Sequence, residues 1–151
     1  MKRLLPILFA LLAAPLAAQS VIDCGSQSHA RNLVEPWEET TRTFANGEVR
    51  VTLLDTVEPA GSPFYLLLLS PPRDELGGRQ CRVIADRPDG AGFWSLGFAE
   101  LEAEYDPARG LVFTLPAGRI PEGAADPAPG RLTVVLNQST GEIDTAYEAV
   151  E

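Results

Sequence analysis

His29 is the only histidine of the 151-residue chain, and it closes the stretch Cys24-Gly25-Ser26-Gln27-Ser28-His29. An imidazole beside a cysteine lowers the thiol pKa and can produce a nucleophilic thiolate, so this spacing admits Cys-His chemistry. A second cysteine, Cys81, argues the other way. Two cysteines in a chain with export features read as one disulfide, Cys24 to Cys81, which leaves no free thiol. In the chain-entropy model a bridge closing so long a loop stabilises the fold by about 4 kcal/mol. Zinc needs three or four histidine, cysteine or carboxylate ligands, which one histidine and two bridged cysteines do not supply.

Carboxylates are the other reactive material. Glu100, Glu102 and Glu104 alternate along the chain and lead to Asp106, while Asp86 and Asp89 precede Gly90, and Glu122 stands near Asp126. Paired acids can cleave glycosidic bonds, but such a pair needs two environments that drive its pKa values apart. Three glutamates on one strand face share one environment and read as a solvated face that discourages edge pairing. Calcium takes oxygen ligands, yet none of these clusters matches the twelve-residue calcium loop. There is no Gly-x-Ser-x-Gly elbow and no glycine-rich phosphate loop. Asn137-Gln138-Ser139 has the form of a glycosylation acceptor, a triplet common by chance. No metal, cofactor or catalytic residue is expected, and the enzyme reading is the weaker one.

Aromatic residues offer a binding candidate instead. Phe93, Trp94 and Phe98 lie in Gly92-Phe93-Trp94-Ser95-Leu96-Gly97-Phe98, a glycine-flanked stretch suited to contact with a ligand or protein partner. The structural alternative is that they plug one end of a core.

The N-terminus sets the compartment. Met1-Lys2-Arg3 precedes an apolar, alanine-rich stretch from Leu4 to Ala18, interrupted by Pro6 and Pro15. A basic start, a short apolar run and a small-residue end read as a signal peptide over 1–18, too short to span a bilayer. Its removal takes Lys2 and Arg3 from the 12 basic residues, against 21 acidic ones, and leaves arginine as the only cation. Lysine chemistry is thereby excluded, and an acidic surface disfavours nucleic acid and anionic lipid. The expected localisation is periplasmic or secreted, with an unknown protein or small ligand as partner. After signal cleavage no integral membrane span is expected.

The elements that must position these groups are strands. Phe64 to Leu69 is a six-residue apolar run bounded by Pro63 and by Ser70-Pro71-Pro72, which reads as a strand covered on both faces. Residues 19–39 read as an irregular lead-in held by the disulfide and by Trp37 lying on the core, with regular structure from Thr40. Asn46-Gly47 predicts a type I′ hairpin pairing Phe44 with Val49 and Arg42 with Val51. Residues 70–79 read as a connection and 80–85 as an alternating strand. Asp106-Pro107-Ala108-Arg109-Gly110 predicts a second hairpin opposing Tyr105 to Leu111 and Ala103 to Phe113, those residues forming an apolar face. A phase change before it is assigned to a bulge at Gly97; a short helix over 96–104 is the alternative. Residues 116–130, with four prolines and three glycines, read as a long exposed loop, itself a candidate contact surface. Asn137 to Gly141 turns a third hairpin. The sum is one domain over 40–151, all-β: an antiparallel sandwich or partly open barrel of about eight short strands built from hairpins.

The expected function is that of a small, acidic, exported binding or accessory protein. A carboxylate-dependent hydrolase and a structural subunit of an envelope assembly are the alternatives.

Overall fold

The computed structural model describes residues 19–58 and 61–150, so the expected signal peptide lies outside the described residues. Two antiparallel five-stranded sheets face each other as a sandwich rather than a closed barrel. The first sheet has the order β1 (Ser20–Asp23), β5 (Arg79–Ala85), β4 (Phe64–Arg73), β3 (Val49–Asp55), β2 (Thr41–Phe44). The second has β10 (Ile143–Ala149), β9 (Ala128–Leu136), β8 (Gly110–Arg119), and then β6 (Ser95–Leu96) and β7 (Glu102–Asp106), which both pair with β8.

Period-two alternation builds the core between the sheets. Val49, Val51 and Leu53 of β3, Leu66 and Leu68 of β4, and Ile84 of β5 face inward from one sheet. They meet Leu111, Phe113 and Leu115 of β8 and Leu132, Val134 and Leu136 of β9. Each fully buried leucine contributes roughly 1.5–3 kcal/mol relative to exposure.

The central run is covered on both faces, as its continuous apolarity requires. Tyr65 and Leu67 point away from the main core and form a second cluster with Leu54, Val83 and Ala85. Its cover comes from Ile22, Cys24, Leu33 and Cys81. The N-terminal segment pairs as β1 with β5 at one edge, and Leu33 bridges to Leu54 toward the opposite edge, so residues 24–33 cross the outer face as a strap. Regular structure therefore begins at Ser20 and not at Thr40. Trp37, in the single-turn helix α1 (Trp37–Thr40), is 57% exposed and does not lie on the core.

The first hairpin has the register implied by its turn, Phe44 opposite Val49 and Arg42 opposite Val51. Asn46 and Gly47 both have positive φ, 55° and 87°, and Glu48 N–H donates to Ala45 O at 3.1 Å, the geometry of a type I′ turn. Tyr105 opposite Leu111 and Ala103 opposite Phe113 likewise stand as expected. Leu111 and Phe113 are buried in the core, but Ala103 and Tyr105 of the edge strand β7 are exposed, Tyr105 at 67%, so the expected apolar face is buried on the β8 side alone.

Four prolines, with no N–H to give, sit in strands where loops were expected: Pro71, Pro72, Pro116 and, in β9 opposite Gly118, Pro129. Pro71 and Pro72 belong to β4, which bulges between Ser70 and Arg73 before a tight turn at 74–78. Pro116 lies in β8 opposite Arg131, its carbonyl accepting from Gly97 N–H at 2.8 Å. A strand residue's N–H and C=O point the same way. The missing N–H of Pro116 therefore faces the break between β6 and β7, where no ladder bond is lost. That break is a 3₁₀ turn over Phe98–Glu100, which produces the phase change assigned to a Gly97 bulge. The exposed loop shrinks from 116–130 to 120–127.

Side chains close the sandwich rims. The Arg42 guanidinium of β2 donates to Leu101 O and, at 2.9 Å, to Ala99 O, and stacks on the Phe98 ring at 5.5 Å. Gln80 Nε2 of β5 donates to Ser70 Oγ and to Gly141 O of the third hairpin, both at 2.8 Å.

Candidate functional site

The end of the sandwich where β5 and β8 finish gathers charges that nothing local would bring together. Asp86 follows the last residue of β5 and is 2% exposed. Arg119 ends β8 in the inward parity of Leu115 and Ala117, so its side chain meets Asp86 across the sandwich, Nε to Oδ1 at 3.1 Å. The two groups form an ion pair that is largely withdrawn from solvent. The guanidinium stacks on the Tyr147 ring of β10, 4.8 Å from its centroid. The Tyr147 hydroxyl proton is shared between the carbonyls of Ala117 and Ala128, at 3.3 and 3.2 Å. Gly130 makes room for that ring, since a Cβ there would stand 2.3 Å from the Tyr147 hydroxyl.

A cleft of about 590 Å³ opens over this group, lined by Arg87, Arg119 and Tyr147 with Pro88, Ile120 and Pro121. Asp86 lies beneath it and does not line it. Burial pushes the Asp86 carboxyl above the usual carboxylate range, against the opposing pull of Arg119 and Arg87. Burial also raises the Tyr147 phenol, which keeps it a protonated donor.

The direction of the Asp86 shift has a testable sign. A carboxyl whose folded-state pKa is raised binds more protons folded than unfolded, so its ionisation costs stability as pH rises from the ordinary aspartate value through the raised one. Whatever constant offset Asp86→Asn introduces, thermal melts across this range are expected to show wild type losing ground to the variant as pH rises. A constant difference would contradict it.

No family model, curated protein or solved structure matches this chain.

Cys24 and Cys81 form the disulfide, Cα to Cα 5.5 Å, which removes the Cys-His nucleophile. His29 stands exposed between two 3₁₀ turns. Phe93 and Phe98 are buried in the main core, at 0% and 3% exposure. Trp94 is 43% exposed, and its ring edge lies 3.7 Å from where a Cβ on Gly118 would stand, one residue before Arg119. Gly118 and Arg119 point to opposite faces of β8, so Trp94 lies on the outer face, outside the residues lining the cleft, and the two phenylalanines stay in the packing.

The acidic groups disperse. Glu100, Glu102 and Glu104 are exposed, and Asp106 Oδ1 accepts from Ala108 N–H at 2.8 Å to set its turn. Asp89 pairs with Arg87 and accepts from Ala91 N–H at 3.1 Å, which holds its carboxyl below the usual range. Among the described residues, no group of three or more histidine, cysteine or acidic side chains is placed to hold a metal. Asn137 Oδ1 accepts from Ser139 N–H at 3.0 Å and shapes the third turn.

A second hollow of about 640 Å³ lies under the strap beside Arg31, Asn32 and Tyr65. Two of its polar side chains are committed to backbone carbonyls, and the exposed Arg31 has, among the described residues, neither a buried carboxylate nor a ring to hold it. Asn32 Nδ2 donates to Ser26 O and Gln27 O at 3.1 and 3.0 Å, and the Tyr65 hydroxyl donates to Gly90 O at 3.2 Å. The Arg119 cleft differs, because its guanidinium is fixed by a buried carboxylate and an aromatic ring while, among the described residues, its terminal amino groups meet no acceptor.

Sequence reasoning passed over Arg119 and Tyr147. The available signal was parity: both fall on inward positions of their strands, where a polar group needs a partner.

Proposed function

We propose that the chain is a small binding or accessory protein, exported to the periplasm or beyond, which takes its ligand into the cleft over Arg119 and Tyr147. The observation carrying this reading is the convergence, at one concave end, of a buried ion pair, a stacked guanidinium with a free donor edge, and apolar walls. Ligand sites are typically apolar hollows with a few fixed polar groups. The other ion pairs among the described residues sit on exposed surface, where they are worth little.

The Cys24–Cys81 bridge supports export, since such bonds persist in oxidising compartments. No helix among the described residues is long and apolar enough to cross a membrane. A carboxylate-dependent hydrolase would need two acids facing one pocket. Here Glu122 stands on the rim while Asp86 is committed to Arg119 below, which favours binding over catalysis.

The test is amide NMR on the exported form of the chain, titrated separately with benzoate, benzylamine, benzyl alcohol and glucose. At least one of these is expected to give saturable shifts concentrated at residues 86–91, 118–122 and 147–149. Saturable shifts confined to other regions, or none with any probe, would overturn the reading.

A further inference from the structure

Resting on that reading, we infer that the ligand is an organic acid with an apolar body, its carboxylate held by the two terminal amino groups of Arg119. A guanidinium offers donors along two usable edges, and a planar carboxylate can take a parallel pair of them. In this protein the Nε side is turned toward Asp86, 3.1 Å away. One face is fixed by the Tyr147 ring at 4.8 Å. Those two constraints orient the group, and the donors that remain belong to the terminal amino groups of a residue that lines the cleft. Preorganisation of this kind removes much of the rotamer entropy that an arginine otherwise loses on binding.

The rest of the lining selects the body of the ligand. Pro88, Ile120, Pro121 and Ala149 give apolar wall. A compact inorganic anion would leave those walls in water, whereas a hydrophobic acid covers them and places one charge at the base. Asp86 cancels part of the Arg119 charge, and Arg87 adds a second cation at the wall, itself paired with Asp89. Glu122 also lines the opening and is solvent-exposed, where salt and water screen its repulsion. A site so balanced suits a monocarboxylate better than a multiply charged phosphate.

The experiment compares benzoate, benzyl alcohol and inorganic phosphate by the same NMR titration, on wild type and two variants. Benzoate is expected to bind at least about tenfold more tightly than benzyl alcohol, since it alone makes the charge-assisted pair, and phosphate is expected to give no saturable shifts in the cleft. Arg119→Lys retains a cation opposite Asp86 but lacks the fork, so benzoate should weaken about tenfold while benzyl alcohol is unchanged. Ala149→Trp, at an exposed position away from the ion pair, fills the opening and should abolish both. Equal binding of benzyl alcohol and benzoate in the cleft would refute the carboxylate anchor and leave the binding reading standing. Phosphate binding as tightly as benzoate would refute the apolar body. Absence of cleft shifts with all the probes, those of the preceding section included, would remove both the inference and the reading beneath it.

Discussion

Phe113→Ala is expected to destabilise the fold by about 3–5 kcal/mol, the range for removing a fully buried aromatic side chain. Phe113 is 1% exposed at the middle of β8, and its ring meets Phe44 of β2 edge-to-face with centroids 5.1 Å apart. The pair joins the edge of one sheet to the centre of the other. Truncation therefore removes both the transfer free energy and the contact that spans the layers, and leaves a hollow lined by β-strands that cannot easily collapse. Chemical denaturation with an unchanged slope would read the loss as a shift in midpoint. A cost below about 1 kcal/mol would mean the sheets do not pack through this pair.

The second large effect is expected from the double variant Cys24→Ala/Cys81→Ala, at roughly 2–5 kcal/mol. The bridge joins residues 57 apart in sequence, so part of the loss comes from a less constrained unfolded chain. Part should be local, because the strap carrying Cys24 covers Tyr65, Leu67 and Val83. Without the bridge that strap keeps its β1–β5 ladder and the Leu33–Leu54 contact, and the fold should survive. Hydrogen exchange separates the two contributions: amides of Leu67 and Val83 should exchange faster than expected from the global loss alone. Unchanged stability on breaking the bridge would contradict the role given to the strap.

Local turn chemistry was the most legible part of the sequence. Asn46-Gly47 specified both turn type and register, because only certain residues tolerate positive φ there, and the register then determined which side chains share a face. The doubly covered central run was legible for a similar reason, since a strand with no polar alternation must be hidden on both sides. Prolines misled because their cost depends on the neighbour: a missing N–H matters only where a partner waits for it. Pro116 faces a break in the edge strand, a circumstance set by Gly97 and Phe98 far along the chain.

The cleft was the least legible feature. Asp86 stands just past β5, while Arg119 and Tyr147 belong to β8 and β10 of the other sheet, and their meeting depends on where those strands end. Asp86 was visible only as a neighbour of Asp89, a pairing the fold separates by burying one and exposing the other. Trp94 was singled out with Phe93 and Phe98, and strand parity could not say which of the three would face solvent. The 3₁₀ turn that follows breaks the alternation on which such a decision rests.

The most direct test of the cleft as a binding site is a crystal structure of the chain grown with benzoate. The expected result is the carboxylate within hydrogen-bond distance of the Arg119 terminal amino groups, with the ring against Ile120 and Pro121 and the Asp86 contact retained. Benzoate bound only elsewhere, under the strap beside Tyr65 or on the outer face of β8 and β9, would contradict it.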